Sequence, residues 1–171
     1  MGDIPLSTWA NFAEIIGAGS IVTGLLFGWF QIRHFRVQQR NEVAITLAQT
    51  FYSRDLAQAI ALLQDLPNDV SLLEMRGKGP EYQRAAITVC TSFETMGLLV
   101  FKRVAPLDLV LDLAGGVVCV MCCKLRVWLQ ELRVEQGQAS WGEWFEWLGD
   151  QALKVKAESQ PAQIRHRDWK P

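Results

Sequence analysis

The side chains that most often carry acid–base and nucleophilic chemistry are scarce in this chain of 171 residues. It has two histidines: His34 sits in a basic cluster after a long apolar stretch, and His166 lies in the polar C-terminal segment. The middle of the chain therefore holds no imidazole. That removes the commonest general base, the His-dependent nucleophile triads and the usual zinc sites. No GxxxxGK[ST], GxGxxG, GxSxG or HExxH pattern occurs, so phosphate cradling, dinucleotide binding, ester hydrolysis and metalloprotease chemistry are not signalled. The expectation is a non-enzymatic protein with no cofactor, no catalytic set and no metal site. An enzyme acting on lipid or nucleotide would have to rely on Glu94, Asp108 and Asp112.

Four cysteines, Cys90, Cys119, Cys122 and Cys123, include one CxxC. That pair falls inside a helical pattern with no second pair and no histidine nearby, and Cys90 offers one further thiolate at most. Free thiols acting as small apolar side chains on the reducing side of a membrane are expected. Asp108 and Asp112 stand four apart after Pro106 and share a helix face, where they either meet a cationic partner or complement the helix N-terminus. With Trp147, from the patch Trp141, Trp144, Phe145 and Trp147, they form a candidate partner surface. Glu94 is the single charge between Arg84 and Lys102. It is expected to be half-buried and ion-paired to an arginine such as Arg126 or Arg84.

The element that positions everything else is Ile15 to Ile32, eighteen residues without a charge. At ~1.5 Å per residue it reaches ~27 Å, which the uncharged residues before it extend past a ~30 Å hydrocarbon core. All seventeen Lys and Arg, and all but two of the eighteen acids, lie after this stretch or in its closing flank. The positive-inside bias then places the N-terminus (1–14) outside a bacterial inner membrane and the bulk of the chain in the cytoplasm. Arg33, Arg36 and Arg40 stand where they can meet lipid headgroups. Within the stretch, Ser20, Gly24 and Gly28 recur every four residues and share a face with Gly17, a small-residue strip suited to helix association.

Past the span the periodicity is helical almost throughout, so the fold class is all-α: a transmembrane helix continuing into a cytoplasmic bundle (33–156) of about five to six helices, then a flexible tail (157–171). The pattern predicts helices at 35–52, 55–66, 80–104, 106–114, 117–136 and 140–156. A loop is expected over 68–79, and a break at Gly115-Gly116. Segments 85–101 and 104–123 are also apolar, but each would carry acids into the bilayer, so a single span is kept. A net charge of −1 gives no field for nucleic acid.

The order of one span, a helical bundle, PLDLV, a Gly pair, a Trp-containing helix and a closing WxEWFEWL helix resembles a bacterial family of single-span membrane proteins of unknown function. The matching positions are Glu94, Gly97, Pro106, Asp108, Gly115, Gly116, Trp128, Trp144, Phe145 and Trp147. The resemblance implies a fold and no activity. More distantly, the layout resembles the CRISPR-associated accessory membrane pore proteins with a HEPN-like helical domain. HEPN ribonucleases carry an R-x4-6-H pair, which neither His34 nor His166 completes.

These readings converge on a membrane-anchored protein that oligomerises through its span, forming a ring or pore or scaffolding a complex. Its expected partners are membrane lipid and further copies of itself, with no nucleic acid. Two alternatives stand beside it: an accessory subunit of a larger electron-transfer or transport complex, and an antiphage-defence effector acting at the membrane.

Overall fold

The computed structural model describes residues 6–51 and 53–170; within the first helix the side chains of 6–16, 18, 35–41, 43–44 and 50 lie outside the described residues. Among the described residues the helices follow in the order α1 (Leu6–Phe51), α2 (Arg54–Leu63), α3 (Leu72–Lys78), α4 (Pro80–Phe101), α5 (Leu107–Gln136), α6 (Glu143–Glu158) and α7 (Ala162–Arg165). The described residues contain no strand, and the protein is all-α. The chain divides into two compact units, one ending at Glu42 and one beginning at Val43.

The first unit is the greater part of α1. Its described apolar side chains, from Ile21 to Ile32, are all exposed. Of the expected segment 1–14, residues 1–5 and every side chain lie outside the description.

The second unit is a bundle around one core. Leu47, near the end of α1, is buried, and α2 adds Leu56, Ala59 and Leu63 at helical spacing. The Ser53 hydroxyl opens α2 by accepting from the Leu56 N–H at 3.4 Å. α4 contributes Ala86, Val89, Phe93, Met96 and Val100, while α5 contributes Val118, Met121, Leu125, Trp128 and Leu129. α6 closes the bundle with Phe145, Leu148 and Ala152. α4 is the one helix among the described residues whose length and hydropathy alone would let it cross a membrane, and 44 % of that window is buried inside the protein. The apolar face that raises its hydropathy is the face that builds this core.

Three sequence expectations change. The segment 68–79 contains a helix: Ser71 and Glu74 form a reciprocal capping box, the Glu74 carboxylate accepting from the Ser71 N–H at 2.9 Å and the Ser71 hydroxyl from the Glu74 N–H at 3.2 Å. This S-x-x-E signature satisfies the orphan donors that would otherwise disfavour so short a helix. Second, α5 runs unbroken through Gly115-Gly116. A Cβ at Gly115 would lie 3.3 Å from Leu111 Cβ and 3.4 Å from Lys156 Cε. The glycine thus permits close packing inside a helix whose propensity cost, about 1 kcal/mol per glycine, is offset by burial of its apolar stripe. Third, the final long helix starts at Glu143 rather than Ser140, because the chain reverses at Gly142 (φ 70°), a left-handed residue that precedes the first turn. It continues to Glu158, and Pro161 opens the four-residue α7 within the segment expected to be irregular.

Candidate functional site

Polar chemistry in the bundle gathers where α4, α5 and the start of α6 meet. α6 begins after Gly142, which has no side chain to cap it. The first N–H groups of a helix need acceptors, and Glu94 supplies one from across the bundle: its Oε2 accepts from the Phe145 N–H at 2.8 Å. Burial pushes the Glu94 carboxyl above its ordinary value; the N–H groups of Phe145 and Trp144 pull it back down, and Arg133 adds a smaller pull in the same direction. One turn further along α4, Gly97 lies against the backbone carbonyl of Trp144 so closely that a Cβ would collide with it. Phe93 stacks on Phe145 with ring centroids 5.8 Å apart. The absence of a side chain at Gly97 brings the helices within reach of each other, and Glu94 uses that approach.

Arg133 of α5 ties the same corner from another side. Its Nε donates to the Trp141 carbonyl at 2.6 Å, and its Nη1 donates to Glu146 Oε2 at 2.7 Å. The pair is well shielded, with side chains 15 % and 28 % exposed. Arg133 Nη2 and Trp128 Nε1 are the buried polar side-chain atoms left without a partner among the described residues. A cleft of about 190 Å³ is lined by Cys90, Thr91, Glu94, Gln138, Ser140, Trp141 and Gly142. The arrangement is a helix cap made across the fold, in which the carboxylate's role is to hold α6 against α4.

The expected Glu94–Arg126 ion pair does not form. Arg126 Nη2 instead binds Asp150 Oδ1 at 3.0 Å on an exposed face and approaches Cys122 Sγ at 3.9 Å. The physical reason is orientation: Glu94 faces the N-terminus of α6, while Asp150 lies two turns along that helix, where it meets Arg126. The arginine that acts electrostatically on Glu94 is Arg133, which sequence reasoning did not single out and for which no local signal existed. Glu131 makes a second cap of the same kind, its carboxylate accepting from the Leu72 N–H at the start of α3 at 2.6 Å. Lys124 is buried, and its Nζ donates to the Leu66 carbonyl beyond the end of α2.

All four cysteines are free; Cys90 and Cys122 are buried, Cys119 and Cys123 half-buried. Burial raises the thiols of Cys90, Cys119 and Cys122 above the ordinary range, so they stay protonated at neutral pH. Among the described residues no group of three or more His, Cys, Asp or Glu is placed to hold a metal.

Of the proposed partner-surface residues, Asp108 and Asp112 are exposed on the first turns of α5. Trp147 is half-buried in an aromatic cluster: Phe101 meets Trp144 with centroids 4.4 Å apart and Trp147 edge-on at 6.0 Å. The structure does not bring the two acids and Trp147 together in one described contact. In α1, Gly17, Ser20 and Gly24 are exposed and Gly28 is half-exposed; Arg33 is exposed, and the side chains of Arg36 and Arg40 lie outside the described residues.

Residues 18–151 match the family described as Domain of unknown function, DUF4760. No curated protein and no solved structure matches the chain.

Proposed function

This chain belongs to the DUF4760 family, and from that premise we propose that it is a membrane-anchored, non-enzymatic protein whose first helix spans the bacterial inner membrane and self-associates there. The observation that carries this reading is the exposure of α1. Leu25 is 71 % exposed, Trp29 69 % and Phe27 67 %, with Ile21, Val22, Leu26, Phe30 and Ile32 all more than half exposed. At 3.6 residues per turn these side chains cover about two-thirds of the helix circumference. A helix with so broad an apolar face is either sunk in a protein core or surrounded by lipid, and no described residue buries these side chains. Thr23 Oγ1 donates to the Gly19 carbonyl at 2.8 Å, which satisfies its hydroxyl within the helix as a bilayer requires.

The remaining third of the circumference is the Gly17, Ser20, Gly24 and Gly28 strip. Nothing described comes within 4 Å of a Cβ added at Gly17, Gly24 or Gly28. Small residues let a second helix approach closely in lipid, where packing rather than the hydrophobic effect drives association. The topology follows the basic flank: N-terminus outside, bundle in the cytoplasm.

Two measurements test this. Alkaline carbonate should leave the full chain in the membrane fraction, and release into the supernatant would refute the span. Gly24→Leu with Gly28→Leu should then reduce the native mass in detergent to that of one chain. An unchanged oligomer would refute association through the strip, and stoichiometric co-purifying subunits would favour an accessory role in a larger complex.

A further inference from the structure

We infer that the aromatic cluster of the bundle is a docking surface for an anionic lipid bilayer, a second membrane contact separate from α1. This rests on the reading of α1 as a span, since a tether keeps the bundle in the neighbourhood of a membrane at high effective concentration.

The surface is built where α4 ends. α4 stops at Phe101, Lys102 caps it, and Arg103 takes a left-handed conformation (φ 57°) that turns the chain sharply before Pro106. This turn leaves Phe101 50 % and Val104 49 % exposed, with Leu98 37 % exposed one turn earlier on α4. α6 brings Trp144 and Trp147 onto the same ring: Trp144 packs tilted on Phe101, Trp147 packs edge-on, and the two indoles are 6.3 Å apart. A non-glycine residue at positive φ is uncommon, and here it presents two basic and two apolar side chains from four consecutive positions. Lys102 Nζ lies 5.9 Å from the Phe101 ring centroid.

The composition selects the occupant. Tryptophan and phenylalanine beside lysine and arginine form the pattern of the membrane–water interface, where amphipathic rings settle at headgroup depth and basic side chains meet lipid phosphate. Charge agrees with this. Lys102 and Arg103 are exposed, and Glu146 in the first turn of α6 is engaged by Arg133 at 2.7 Å. Glu143 is then the exposed acid of that turn, and the basic pair outnumbers it. A second copy docking through the same patch would set these basic pairs near one another, whereas anionic headgroups would neutralise them.

The test uses the full chain reconstituted in bilayers with brominated acyl chains, made of phosphatidylcholine alone or with phosphatidylglycerol, and reads tryptophan quenching. In the mixed bilayers the wild type should show an added quenched component that is absent from phosphatidylcholine. Trp144→Phe with Trp147→Phe should remove that component. Lys102→Glu with Arg103→Glu, which changes only exposed side chains, should also abolish it while leaving the helical circular dichroism intact. Quenching that is identical in both bilayers and in all variants, from a chain that resists carbonate extraction, would overturn the docking surface and leave the span standing. Release of the chain by carbonate would overturn both. A fall in native mass in the tryptophan variant, without any change in quenching, would assign the face to a second copy and overturn the proposal.

Discussion

Gly24 and Gly28 in α1 and Gly97 and Gly149 in the bundle are all helical glycines, but their surroundings are opposite. Around the first two, nothing described lies within 4 Å of an added Cβ; around the second two, the Cβ would collide with the Trp144 carbonyl or the Cys122 sulfur. In the bundle the missing side chain is already used, because α6 has closed onto α4 and α5 through it. In α1 no described atom fills the same vacancy. The residue type is therefore no guide to role; the space around it is. The large side chains follow the same division, with Phe93, Trp128 and Phe145 buried in the bundle and Phe27, Trp29 and Phe30 exposed on α1.

The contrast can be broken most severely at Gly97. Gly97→Ala should destabilise the bundle by about 3 kcal/mol, since the obstructing atom belongs to backbone and has little room to relax. Urea unfolding would measure it, and a midpoint equal to the wild type would show that α4 and α6 are not held as described. Glu94→Ala should cost about 1–2 kcal/mol, the scale of losing an N-cap acceptor. Glu94→Gln adds the pH test. Burial raises the folded carboxyl above the unfolded glutamate value of about 4.3, so the protonated form is favoured by folding. That contribution is complete below about pH 4 and is lost as pH rises through the folded pKa. Thermal unfolding from pH 4 to 7 should therefore show the wild type losing stability relative to Glu94→Gln; a parallel pair of curves would contradict the burial.

A smaller effect is expected at Arg126→Ala. Its pair with Asp150 is 40 % and 50 % exposed, so the change should cost at most about 0.5 kcal/mol and fade in high salt. Gly24→Leu with Gly28→Leu should leave the unfolding of the bundle unchanged within about 0.5 kcal/mol, because no described atom opposes the new side chains. A large loss of bundle stability there would erase the difference between the two sets of glycines.

Much of the fold was legible because helical periodicity is local. The stripe Ala86, Val89, Phe93, Met96 and Val100 marks both α4 and its buried face, and Leu56, Ala59 and Leu63 do the same for α2. α3 was legible in principle, since Ser71 and Glu74 carry the capping signature, but a helix of seven residues has too few turns for periodicity to reveal it. The candidate site was legible only by halves. An isolated acid in an apolar helix pointed to Glu94 as half-buried, and it is. Its acceptor role was hidden, because the Phe145 N–H that it binds lies 51 residues away and backbone donors leave no mark in a sequence.

The sequence by itself determined the all-α class, the approximate extent of α2, α4 and α6, the uncharged stretch 15–32 with its basic flank, and the absence of familiar catalytic motifs. These depend on spacing and composition, which act over one or two helical turns. The tertiary structure alone decided that Glu94 caps α6, that Arg126 meets Asp150 while Arg133 meets Glu146, that α5 passes unbroken through two glycines, and that Phe101 joins Trp144 and Trp147 at one surface. Each of these outcomes turns on which helix faces which, and at what distance. Packing fixes that geometry for the whole bundle at once, and no single stretch of chain encodes it.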